Sequence, residues 1–252
     1  MKFFIKILKD FPSYLWGGWA SVASIFLFLA LWDFGNQIYG NLILPSPNET
    51  FVALFELLKD ETMQSEIMIT LNRAMIGFGL AILVGSILGL FAGLFITASI
   101  MSRPIVTILF GMPPIAWIVL AMIWFGMGDT TVIFTVFIAS FPIVFVGALQ
   151  GTRTLEGELK EMADSFHLPF SMKLFDLYLP HIFSYIFPAY ISALGMSWKI
   201  VIMAELLATS DGLGAALAVA RSQLETSTAL AIVTIMIASL LIIEYVVLEP
   251  IK

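Results

Sequence analysis

Residue types capable of covalent or metal chemistry are scarce in this chain. It has no cysteine and two histidines among 252 residues. That removes thiol nucleophiles, thiolate metal sites and disulfides. His167 and His181 are too few for a histidine metal centre, and each is expected to be structural. There is no Gly-Lys dipeptide, hence no phosphate-binding loop of the nucleotide-hydrolysing kind, and no Ser-His-Asp arrangement suggests itself. No enzymatic activity, cofactor, metal or nucleic-acid partner is expected. What remains are charged side chains placed to bind rather than to react, above all a charged island between Thr152 and Leu177, and Glu205.

The island begins at Arg153 and is flanked by apolar runs. Leu155, Leu159, Met162 and Phe166 are spaced 4, 3 and 4 apart, one stripe of a helix. Glu156, Glu158, Lys160, Glu161 and Asp164 fill the other faces, and Pro169 stops the helix. The spacing predicts a short amphipathic helix held outside the bilayer and available for docking. Glu205 lies near membrane depth, where an acid faces protein interior or water. Two readings stand for it: a structural hydrogen bond to backbone or to a basic residue, or a place on a transport path.

The elements that must position these groups are membrane spans. The chain is 60% hydrophobic and 12% charged, with mean hydropathy +1.00, whereas a soluble domain carries about a quarter charged residues. Six charge-free runs, 11–32, 74–102, 104–128, 130–152, 177–198 and 226–243, approach or reach the roughly 17–25 residues a spanning helix needs. Only helices or closed barrels satisfy their backbone in lipid, and these runs lack the alternation of barrel strands. The fold class is therefore all-α integral membrane protein with six transmembrane helices, as one domain over residues 1–252.

Six spans put both termini on one side. Basic residues choose that side. With the N-terminus cytoplasmic, Lys2, Lys6, Lys9, Arg103, Arg153, Lys160, Lys173 and Lys252 lie inside. Lys59, Arg73, Lys199 and Arg221 lie outside or at the outer edge. Run 11–32 lacks a clear cleavage site and reads as a retained span. A short surface helix is expected over 49–59, with Phe51, Leu54, Phe55 and Leu58 on one face. The segment 204–214 is expected to dip into the outer half of the bundle, with a turn at Asp211-Gly212.

Two irregularities sit within the runs. Ala81, Gly85, Gly89 and Gly93 form a small-residue face that lets helices approach closely. It serves either ordinary packing or contact with a second copy or with pore-lining helices. Gly111-Met112-Pro113-Pro114 breaks the third run. The break is either a passive kink or a piece of irregular backbone that lines a protein- or water-filled path.

An ordered series of motifs resembles one family. Glu161-Met162-Ala163, followed by Leu179-Pro180, is similar to the Glu-Ala-Ala loop of permease subunits of bacterial ATP-binding-cassette (ABC) importers. Leu44-Pro-Ser-Pro47, Thr70-Leu-Asn-Arg73 with Gly77-Phe78, Met112-Pro-Pro-Ile-Ala116, Trp124-Phe-Gly-Met-Gly128, Phe141-Pro142, and Ala204-Glu-Leu-Leu with Gly212-Leu-Gly214 resemble its nitrate/sulfonate/taurine branch. The resemblance runs from about Leu44 to the C-terminus. It implies a type I ABC importer permease fold, a homodimer, and residence in the bacterial inner membrane with both termini cytoplasmic. Cytoplasmic ATPase subunits and a periplasmic solute-binding protein would be its partners.

The coupling loop would occupy about 153–178. The coupling role carries over to Glu161, Met162, Ala163 and Asp164, and to Leu179 and Pro180, with Leu159 and Phe166 on the docking face. One departure is His167, where the family usually has glycine in a left-handed turn. The implied solute is a small anion such as nitrate, a sulfonate or taurine. The alternatives are an importer of a thiamine-precursor pyrimidine, an ion-gradient-driven carrier, or a non-transport scaffold. Met112, Pro113, Pro114 and Glu205 are expected to meet across the translocation path and to form its gate.

Overall fold

The computed structural model describes residues 2–154 and 165–244, and no strand occurs among them. The helices in chain order are α1 (Lys2–Tyr39), α2 (Pro47–Lys59), α3 (Glu61–Leu94), α4 (Ile96–Gly111), α5 (Pro114–Phe125) and α6 (Asp129–Arg153). A π-helical turn, Lys173–Tyr178, then runs directly into α7 (Leu179–Ala208), followed by α8 (Leu213–Ser222) and α9 (Thr226–Ile242). Among the described residues four helical stretches are long and apolar enough to cross a membrane: Val22–Tyr39, α3, α6 and Lys173–Ala208. The pair α4 and α5 qualifies jointly but is bent by 96° at its break. Helix α9 is apolar and shorter.

The bundle is built on α6, which packs along both α3 and α7. The small-residue face of α3 explains the first seam. A methyl group added at Gly85 would lie 2.9 Å from Val144, one at Gly89 would lie 2.4 Å from the Phe145 carbonyl, and one at Gly93 would lie 2.4 Å from Thr152. Ala81 on the same face is fully buried. This face therefore serves packing within the chain, against α6, and not a second copy. Helix α6 repeats the device toward α7, where Gly147 sits against Ala189 and Gly151 against the Ile182 carbonyl. Buried Ser140 and Ser197 hydroxyls join the same two helices at 2.8 Å. Small residues with occasional hydroxyls suit helices that must associate without a hydrophobic driving force.

Several expected boundaries move. The second span is not the run 74–102: α3 begins at Glu61, carries Glu66 and Arg73 within its length, and ends before Phe95 in extended backbone. The fifth passes Lys199 and Glu205 and ends at Ala208, well beyond Trp198. A rule that ends spans at charges fails at Arg73 and Glu205 because they neutralise each other within the helical layer. For the same reason Ala204 and Glu205 belong to α7 and not to a re-entering segment, although the turn at Asp211-Gly212 is present and α8 returns from it.

Helix α2 starts at Pro47 under a reciprocal cap. The Ser46 hydroxyl accepts from the Glu49 N–H at 3.2 Å, and the Glu49 carboxylate accepts from the Ser46 N–H at 3.1 Å. Such boxes satisfy two otherwise orphaned donors. Leu54 packs on the core, while Phe51, Phe55 and Leu58 stay exposed.

Candidate functional site

A polar cluster closes one end of the bundle. Arg73, in the fourth turn of α3, is its centre, and its side chain is 5% exposed. Nη1 donates to Glu205 Oε1 at 3.0 Å and to the Asp211 carbonyl at 2.9 Å. Nη2 donates to Asp211 Oδ1 at 2.7 Å. Nε donates to Asp129 Oδ1 at 2.9 Å, and Nη2 also meets that oxygen. The planar fork of the guanidinium thus ties α3 to the first residue of α6, to α7 and to the turn before α8. A lysine, with a single point charge, could not hold all four partners.

Glu205 is wholly buried. Its Oε2 accepts from the Thr70 hydroxyl at 2.8 Å and from the Gly214 N–H at 3.1 Å. Thr70 in turn accepts from the Leu213 N–H at 2.8 Å, and the Gly212 N–H donates to Glu66. The N-terminal N–H groups of α8, which have no partner within their own helix, are therefore capped by side chains from α3 and α7.

The residue types around this carboxylate follow from space. Gly212 has φ +96, in the left-handed region, and a methyl group there would lie 2.4 Å from the Glu205 carboxyl carbon. At Gly214 a methyl group would lie 2.4 Å from the Ile202 carbonyl. The Gly-Leu-Gly sequence is the cradle of Glu205. Glu205 makes the bonds its structural reading expects, to a basic residue and to backbone.

Met112, Pro113 and Pro114 form the corner between α4 and α5. Pro113 is exposed with extended backbone, and Pro114 opens α5. They are not among the polar partners of Glu205, which are Thr70, Arg73 and Gly214.

The charged island leaves from the other ends of α6 and α7. Leu159, Glu161, Met162, Ala163 and Asp164 lie outside the described residues. Its described flanks are Phe166, His167, Leu179 and Pro180, all exposed. His167 takes φ +49, the left-handed conformation that glycine would adopt freely, and its Nδ1 lies 3.1 Å from the Ser165 carbonyl. The turn is thus kept without the glycine. His181 bridges the two ends of the island: Nε2 lies 3.0 Å from the Thr154 hydroxyl, and the ring packs on Tyr185. At the end of α6, Arg153 Nη1 donates to Ser99 Oγ in α4 at 2.9 Å. The π-helical turn then leads into α7; such turns widen the helix by one residue and recur at functional sites.

Residues 67–248, which hold both the polar cluster and the island, match the model for binding-protein-dependent transport system inner membrane components, and the chain belongs to that family. The fold is that of a type I ABC importer permease. Within the family it is similar to the taurine transport system permease protein of Escherichia coli, at 29% identity over 183 residues, 71% of this chain and 66% of that protein. It is likewise similar to two permeases of Synechococcus elongatus. The nitrate import permease is 27% identical over 75% of this chain and 71% of its own length. The bicarbonate transport permease is 26% identical over 79% and 76%. The match thus spans just under two thirds of the taurine permease and more of the other two.

This membership disfavours the ion-gradient carrier. Arg73 and Lys199, which the run boundaries put outside or at the outer edge, lie within α3 and α7.

Proposed function

We propose that this chain is the membrane-spanning subunit of an ATP-driven importer of a small anion. Family membership over residues 67–248 carries the class. The solute class rests on relatives whose names give taurine, nitrate and bicarbonate, each bearing an anionic group. The permease works as a homodimer, as one domain over 1–252, in the bacterial inner membrane. It does no chemistry: ATP is hydrolysed by cytoplasmic subunits, and solute arrives on a separate binding protein.

Six spans are assigned as α1, α3, the α4–α5 pair, α6, α7 and α9. Both termini are cytoplasmic. With Arg73 and Lys199 placed inside helices, the outer side retains only Lys59 and Arg221 of the basic residues, which strengthens the charge asymmetry that sets orientation.

The geometry around the island supports a route for coupling. The ATPase takes up the island through Leu159, Glu161, Met162, Ala163, Asp164 and Phe166, with His167, Leu179 and Pro180 beside them. The described flanks of the island adjoin α6 and α7, whose close-packed seam makes them one lever. At about 1.5 Å per residue, α6 is roughly 37 Å long, so a tilt at the island is delivered to the polar cluster at the other end. Met112, Pro113 and Pro114 line the path as a corner of irregular backbone, which needs a wet or protein-lined setting. Glu205 contributes to the outer gate by holding α3, α7 and α8 together.

The test is uptake by proteoliposomes that hold this permease assembled with the ATPase subunits and supplied with the binding protein. ATP-dependent accumulation of labelled taurine, nitrate or bicarbonate is expected. Accumulation without ATP would remove the importer reading, and transport restricted to uncharged solutes would remove the anion.

A further inference from the structure

Lys199 is a basic side chain in the middle of α7 that the polar cluster leaves unused. It lies nine residues before Ala208, the last residue of α7. That is roughly 14 Å from the helix end, about half the apolar thickness of a bilayer. It is exposed on the surface of the chain and forms no ion pair with any described residue. An unpaired ammonium at such depth is costly against lipid, and it is retained where it faces water, a partner charge or a ligand.

Its surroundings point to a ligand. Lys199 lines a cavity of about 310 Å³ between α6, α7 and α9, with apolar walls from Ile143, Leu194 and Leu240. Ser192 and Glu244 also face this cavity. The Ser192 hydroxyl is already donated to the Pro188 carbonyl at 3.0 Å. Glu244 shares the cavity but is not paired with Lys199. One turn before Lys199, Gly195 stands in the middle of α7 with no atom within 4 Å of where its methyl group would be. A mid-helix glycine costs stability relative to alanine. At Gly85 and Gly89 a neighbouring helix explains it; at Gly195 no described residue does. An apolar cavity with a few convergent polar groups, here Lys199 and Glu244, is the usual form of a small-solute site.

We infer that Lys199 meets the anionic group of the solute inside the membrane, with the open face at Gly195 leaving room for it. This rests on the importer reading and deepens it, by giving the passage a specific anion contact.

The absence of cysteine makes the first arm direct. In the assembled transporter, Lys199→Cys should be modified from water by 2-sulfonatoethyl methanethiosulfonate, a small anion. A cysteine that stays unmodified faces lipid or a second copy and overturns the inference. The second arm is uptake of taurine, nitrate and bicarbonate, with assembly checked by co-purification with the ATPase. Lys199→Met should lower uptake by about tenfold or more, the usual scale for losing a charge-assisted contact, and Lys199→Arg should retain most of it. Wild-type uptake by Lys199→Met overturns the inference and leaves the importer reading intact. Recovery of uptake in the Lys199→Met, Glu244→Gln double variant would mean the two charges serve each other, which also overturns it. Wild-type protein that moves none of the three anions sinks the anion reading on which the inference rests.

Discussion

Arg73 sets one positive charge against the carboxylates of Glu205, Asp129 and Asp211, and they are unequally placed. Glu205 has no access to solvent, while the Asp129 side chain is 68% exposed. The buried pair therefore carries the energetic weight, since an exposed pair contributes little. Removing one member of a buried, hydrogen-bonded pair typically costs about 3–5 kcal/mol, because the other is left uncompensated. Arg73→Met is expected to lower stability by about that amount, measured as a large fall in melting temperature in detergent. Asp129→Asn should shift it by about 1 kcal/mol or less. Equal losses in the two variants would show that burial does not organise the cluster. His167 shows the converse economy at the other end of the molecule. A left-handed turn that prefers glycine is held by a histidine, at a cost of roughly 1–2 kcal/mol.

Helix α3 shows how side-chain size sets the distance between elements. Its glycines at 85, 89 and 93 face α6, whereas Gly79 on the same helix faces open space. The comparison separates intrinsic helix preference from packing. Gly79→Ala should be neutral or stabilise by up to about 1 kcal/mol, because alanine loses less backbone freedom on folding. Gly89→Ala should destabilise by about 1–3 kcal/mol, because its methyl group meets the Phe145 carbonyl, a backbone atom that cannot rotate away. Melting temperatures of the two variants in one detergent decide this. A Gly89→Ala protein as stable as Gly79→Ala would mean that the α3–α6 seam is looser than its geometry. The seam matters for function because only closely packed helices transmit a tilt without absorbing it.

Across the whole molecule, the island and the polar cluster lie at opposite ends of α6 and α7. This arrangement suits a permease that receives force on one side of the membrane and opens on the other. It also predicts which positions are reached from which side. Ser210 lies in the exposed turn beside the cluster, and Ser171 lies just before the π-helical turn. Ser46 is a poor reporter, because its hydroxyl caps α2. In intact cells Ser210→Cys should react with an impermeant thiol reagent. Ser171→Cys should react only after the membrane is opened. The reverse pattern would invert the proposed orientation, and labelling of both from outside would break the separation of the two ends.

Composition and periodicity were enough to establish helices in a membrane, the break at Met112-Pro113, the turn at Asp211-Gly212 and the small-residue face of α3. These are local properties: a proline removes a donor, a glycine permits a turn, and apolar runs partition into lipid. The ordered motifs carried the family. What the sequence could not show was which charges cancel. Arg73, Lys199 and Glu205 read as span ends because a charge in lipid is unfavourable. For Arg73 and Glu205 the rule fails because they pair with each other across more than a hundred positions, whereas Lys199 lies within α7 with no ion pair to a described residue. Only the tertiary structure places Arg73 against Glu205, assigns the α3 glycines to α6, and leaves Lys199 beside a cavity with no ion-pair partner among the described residues. Each depends on which helix faces lie together, and sequence spacing along a single helix does not contain that information.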